Sequence, residues 1–167
     1  MLGSNFGVGI LRCLTGTQSS VYGSGNGIFM GLLTSAPIIT VNASNIVTGI
    51  EYSAFEPAIG LSGYAREIIG HPSTGIGPAF DTTVYYNSAS SFYYISNVAQ
   101  IKFNKASDLW TANSSSDITH FGLFTSASGG TILAWGELTS AINVSANQAA
   151  NVDVGSAILK LNAVMPN

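Results

Sequence analysis

Apolar residues in this chain alternate with polar ones or gather in runs of four to six, and no stretch repeats them at helical spacing. The pattern therefore predicts strands. Ile28-Phe29-Met30-Gly31-Leu32-Leu33 is a short apolar run closed by Thr34-Ser35-Ala36-Pro37, and Ile38 to Val41 and Ile46 to Tyr52 follow across the turn Asn42 to Asn45. Tyr64 to Ile69 reads as a half-buried strand ending at Gly70-His71-Pro72, and Ser73 to Ala79 as a loop. Asp81 to Tyr86 and Phe92 to Ile95 are β-branched and aromatic and predict a paired hairpin. Beyond Val98, Ile101 and Phe103 fall on one face and Lys102 and Asn104 on the other. After Asp108-Leu109-Trp110, the polar stretch Thr111 to Asp117 predicts a surface loop. Ile118 to Phe124 and Thr131 to Gly136 predict a second hairpin, turning at Ala127-Ser128-Gly129-Gly130, where the glycines can take positive φ. Ala141 to Ser145, Val152 to Val154 and Ile158 to Leu161 supply the last strands, with Gly155 as a bulge or kink. The total is roughly eight to ten strands, the spacing of an antiparallel β-sandwich of jelly-roll type.

The first 27 residues differ in kind, being rich in glycine and without a sustained period. They are expected to form an extended N-terminal arm that gains order on a neighbouring subunit, burying Phe6, Val8, Ile10 and Leu11 there. Residues 28–167 would then form the sandwich domain.

Composition narrows the function. Charged residues make up 8 % of the 167, against roughly a quarter in an average globular protein, and the net charge is −3. No positive surplus exists to hold phosphates, so nucleic acid is not an expected partner. With 46 % hydrophobic residues the chain should fold, and so sparsely charged a surface suits an assembly component. The uncharged stretch Cys13 to Ile50 is broken at Gly23 to Gly27 and Thr34 to Pro37, so no membrane helix is expected. Met1 to Leu11 lacks the positive start of a secretory signal. Cys13, the single cysteine, can close no internal disulfide. Sequons at Asn42, Asn113 and Asn143 are of the number that an Asn- and Ser-rich chain carries by chance.

Candidate chemistry is thin. His71 lies in a turn before Pro72, and His120 lies in an apolar strand where a structural histidine is the plainer reading. No Gly-x-Ser-x-Gly motif is present, and the carboxylates are scattered singly, so no catalytic residue, metal ligand or cofactor is expected. A carboxylate pair such as Glu51 and Glu56 would be the kind to weigh for glycoside hydrolysis, since their separation is set only by the fold. Gly23 to Gly27 has neither the lysine nor the following helix of a phosphate loop. Tyr85, Tyr86, Phe92, Tyr93 and Tyr94, set among neutral Asn and Ser, would suit either a subunit interface or a saccharide surface, with the interface preferred.

Ile118-Thr119-His120-Phe121-Gly122-Leu123-Phe124, then Gly129-Gly130, Ile132-Leu133 and Trp135-Gly136-Glu137-Leu138-Thr139, resembles a pattern in small virion proteins of tailed bacteriophages. Gly63-Tyr64-Ala65-Arg66, Ile101-Lys102-Phe103 with Ala106 and Trp110, and Leu32-Leu33-Thr34 are similar to other segments of those proteins. The resemblance covers about Ile28 to Leu161. The glycine-rich N-terminus and the Tyr85 to Tyr94 insertion depart from it. It implies head decoration, cement, or tail and fibre roles.

The residues suggest structural parts within such a protein. Trp135 against Phe121 or Phe124 would anchor the second hairpin, and Gly122 and Gly136 would let a ring or strand approach closely. Arg66 would satisfy a carboxylate or carbonyls, with Glu137 its expected partner in a buried or inter-subunit ion pair. The leading expectation is a non-enzymatic capsid decoration protein on the phage head, a homotrimer that clamps the major capsid protein. Its interface would use Phe6, Ile10, Leu11, Arg66, Tyr85, Tyr86, Tyr93, Tyr94 and Glu137. The alternative is a tail, fibre or baseplate module that binds a host-surface glycan through the tyrosines. A third reading, a polysaccharide depolymerase, lacks an assembled acid, base and nucleophile.

Overall fold

The computed structural model describes residues 27–44, 46–70, 80, 81 and 83–162. The expected arm, with Phe6, Ile10 and Leu11, and His71 lie outside the described residues. Eleven strands and no helix are formed there: β1 Ile28–Leu33, β2 Ile38–Val41, β3 Val47–Glu51, β4 Glu67–Gly70, β5 Tyr85–Asn87, β6 Phe92–Ser96, β7 Ile101–Lys105, β8 Ile118–Phe124, β9 Ile132–Ile142, β10 Ala149–Val152 and β11 Ile158–Asn162. Every strand pairing is antiparallel, so the all-β class expected from the alternation is the class observed.

The strands form sheets in the orders β4-β1-β8-β9, β11-β6-β5, β10-β7 and β2-β3. The first two meet where Leu138 of β9 bridges Ala157, just before β11. Gly136 makes that approach possible, because a Cβ there would lie 2.8 Å from the Ile158 carbonyl oxygen and 2.7 Å from a Phe121 ring carbon. Alternate residues of these strands and of β7 and β10 fill one core that includes Met30, Leu32, Ile95, Phe103, Phe121 and Leu159. Trp110 is fully buried there, edge-on to Tyr64 at 5.1 Å, with its indole N–H donating to the Ser62 carbonyl at 2.8 Å.

Some strands differ from expectation for local reasons. The run Tyr64 to Ile69 becomes a strand only at Glu67, because Tyr64 and Arg66 carry tertiary hydrogen bonds. Asp81 accepts from the Thr83 amide at 2.8 Å, an Asx turn that delays the next strand to Tyr85. β9 runs for 11 residues and takes in Ala141 and Ile142, and the strand expected at Val152 to Val154 lies earlier, at Ala149–Val152. Gly155, with φ of 77°, belongs to the turn that follows. Gly129 and Gly130 take positive φ in the β8–β9 turn, as their spacing predicts.

Candidate functional site

The tyrosine-rich segment forms the β5–β6 hairpin, in which Tyr85 faces Tyr94, Tyr86 faces Tyr93 and Asn87 faces Phe92. Cross-strand partners share a face and neighbours along a strand alternate, so the cluster divides in two. Tyr93 packs against the core with Leu161, its partner on β11, and Tyr86 lies against it at 5.0 Å. On the other face Tyr85 stacks on Tyr94 with centroids 5.5 Å apart, and Phe92 meets Tyr94 edge-on at 5.9 Å. This is an outward aromatic ladder. The Tyr85 hydroxyl donates to Asp81 at 3.0 Å, and that hydrogen bond, with the nearby negative charge, raises the phenol above its ordinary pKa.

The ladder continues onto β11. Lys160 is the cross-strand partner of Tyr94, and its ammonium lies 5.4 Å from the Phe92 ring centroid. Lys160 also forms one wall of a groove of about 430 Å³ between β9 and β11, lined by Trp135, Gly136, Glu137, Leu138, Thr139 and Ile158 as well. Trp135, Glu137 and Thr139 alternate along β9 and so share a face. Trp135 is half-buried and packs against the small cluster of Leu33, Phe124 and Ile132. It thus anchors the β8–β9 hairpin as expected and also lines the groove.

The ion pair expected between Arg66 and Glu137 is not formed, because Arg66 is committed elsewhere. Its guanidinium grips Glu56, with Nε donating to Oε1 and Nη2 to Oε2, both at 2.7 Å. Nη1 donates to the carbonyls of Ser126 at 2.9 Å and Gly129 at 2.7 Å, holding the β8–β9 turn. The guanidinium lies over the Phe124 ring at 3.5 Å, and Phe124 in turn covers Gly31 and Gly122, where a Cβ would come within 2.7 Å of it. Tyr64 completes the node: its hydroxyl donates to Glu56 at 2.9 Å and accepts from the Leu32 amide at 2.8 Å. Burial first, then the Glu56 charge, pushes this phenol well above its ordinary pKa. Burial works against the Arg66 charge, but the hydrogen bonds and charge of Glu56 outweigh it and raise the Arg66 pKa.

Both oxygens of Glu56 are thus committed within the node, to Arg66 and Tyr64. Glu51 is exposed and accepts from the Ser53 hydroxyl at 2.7 Å and the Ala54 amide at 3.1 Å, which lowers its pKa. His120 lies half-buried in β8, its Nδ1 sharing a hydrogen bond with the Thr119 hydroxyl at 2.8 Å. Among the described residues no three of His, Cys, Asp and Glu converge as metal ligands, and no helix is long and apolar enough to cross a membrane. The structure thus places Tyr85, Tyr94 and the groove residue Glu137 along one outward strip, sets Tyr86 and Tyr93 on the opposite face of the hairpin with Tyr86 exposed and Tyr93 against the core, and places Arg66 in an internal node. Trp135 and Lys160 join the strip. Their position rests on the register of β11 against β6 and on the close approach of β11 to β9, which no local pattern announces.

A protein-family model described as Podophage GP4 fiber I protein gp80 matches residues 10–160 of the chain. The chain belongs to this family. It is a virion protein of a tailed phage, as the motif resemblance implied, and the strip described above is a feature of a fibre-family chain. No curated protein matches the chain.

Proposed function

We propose that this chain is a structural module of a phage tail fibre, built from several copies of itself and turned toward the saccharides of the host surface. The observation that carries the reading is the fibre-family match over residues 10–160. It favours a fibre over a decoration protein seated on the major capsid protein. The outward ladder Tyr85–Tyr94–Phe92 supports the host-facing part, since neutral aromatic faces beside amide and hydroxyl groups suit sugar rings. The role is binding rather than catalysis, and no cofactor enters it.

Contact between copies is assigned to the β2–β3 hairpin. Ile39 pairs with Ile50 and Val41 with Val47, so these four exposed aliphatic residues share one face. A second copy is the occupant that fits. The hairpin's one ionisable residue, Glu51, pairs with Ile38 on the opposite face, so two such aliphatic faces meet without charge repulsion.

The test is immunogold labelling of a tagged chain on whole virions, viewed by electron microscopy. Label confined to the tail is the expected result. Label spread over the head would overturn the fibre reading and restore the decoration role.

A further inference from the structure

We propose that the β9–β11 groove and the Tyr94–Tyr85 ladder beside it form one continuous site for a neutral saccharide chain, read by Trp135, Glu137 and Lys160. The proposal deepens the host-facing reading above and rests on it. Continuity comes from Lys160, which belongs to both halves: it walls the groove and is in register with Tyr94. From β11 across β6 to β5 is two strand spacings, about 10 Å, and the groove extends the strip further. That length suits an extended oligosaccharide better than a single ring.

The lining selects the ligand class. A sugar ring offers apolar C–H faces and a rim of hydroxyls, so its site needs flat aromatic surface with donors and acceptors close by. Trp135 supplies such surface at one end, and Tyr94 and Tyr85 at the other. Between them Glu137 can only accept and Lys160 can only donate. Both are exposed, and neither forms an ion pair among the described residues, where Arg66–Glu56 is the one pair within 4.0 Å. Their hydrogen-bonding capacity is therefore available to hydroxyls. Glu137 and Lys160 balance in charge, so the groove offers no positive surplus to hold a polyanionic chain, whereas a neutral one needs none. A lipid or an aliphatic peptide would leave Glu137 and Lys160 desolvated and unpaired, which is costly.

The chain carries its own reporter, for of its two tryptophans Trp110 is sealed in the core and Trp135 lines the groove. The experiment titrates the full-length chain with surface polysaccharide extracted from the phage's host cells, separated into neutral and acidic fractions, and follows tryptophan emission. The neutral fraction is expected to change the emission. Trp135→Phe should abolish that change while the Trp110 signal reports an intact fold. Glu137→Gln and Lys160→Met, both at exposed positions, should each weaken binding about three- to ten-fold, the value of a hydrogen bond. Tyr94→Ser should weaken it at least as much.

Three results would overturn the proposal: no response to the neutral fraction, binding unchanged in both Glu137→Gln and Lys160→Met, or preference for the acidic fraction. The fibre reading fails separately, by label on the head. Tail label without a neutral-saccharide response removes the site and leaves the fibre.

Discussion

Arg66 holds three segments at once: the loop carrying Glu56, the β8–β9 turn through Ser126 and Gly129, and the Phe124 ring lying over two glycines. Its fork makes four short hydrogen bonds in a site that is 5 % exposed, a geometry that a lysine ammonium cannot reproduce. Arg66→Ala is expected to cost about 3–5 kcal/mol, because it leaves the Glu56 carboxylate buried without its partner. Arg66→Lys should recover little of that loss. Glu56→Gln should also destabilise, whereas Glu137→Gln should leave stability within about 0.5 kcal/mol of the parent, as is usual at an exposed position. Urea unfolding at neutral pH checks the series. Equal losses in Glu56→Gln and Glu137→Gln would return Glu137 to the ion pair. The need of Arg66 for a carboxylate and carbonyls was legible in a chain with few charges. Which carboxylate it takes was not, since Glu56 and Glu137 both lie in segments of mixed character and only the folded loop brings Glu56 beneath Tyr64.

At the scale of elements, the two-residue alternation identified most strands, and the glycines at 122 and 136 marked where a ring or a strand comes close. Strand edges moved wherever a side chain had a competing bond, as at Tyr64, Arg66 and Asp81. The β2–β3 hairpin forms where Ile38 to Val41 and Ile46 to Tyr52 read as strands. Its exposure was not legible, because an apolar run does not say which chain covers it. No other strand joins this pair among the described residues, and a lone two-stranded hairpin is marginal in water. Its aliphatic face is thus better supported by contact than by its own pairing. The double variant Ile39→Thr with Val47→Thr keeps β-branched residues and removes the apolar contact. Sedimentation velocity should show the parent chain associated and the variant shifted toward monomer, with strand content unchanged by circular dichroism. A monomeric parent, or a variant associating as strongly, would refute the contact.

For the molecule as a whole, the scarcity of charge governs what holds it to its neighbours. With 8 % charged residues and one close ion pair among the described residues, itself internal, little is left for attachment through Coulomb forces. The exposed surface instead presents aliphatic residues on β2 and β3 and aromatic ones on β5. Contacts of this kind lose little when salt shortens the Debye length from about 30 Å at 0.01 M to about 3 Å at 1 M, whereas charge-led contacts weaken steeply over that range. Apolar burial is, if anything, strengthened by excluded salts such as sulfate. The chain should therefore remain on purified virions after incubation across that span of sodium chloride, with less than about a two-fold change in the amount retained on gel analysis. Progressive release with rising salt would mean that attachment runs through the few lysines and carboxylates, and the apolar hairpin would then lose its place as the contact between copies. Composition alone carried this part of the reading, because a charge total needs no knowledge of the fold. The proposed tail placement rests instead on the fibre-family match over residues 10–160, which a charge total cannot supply.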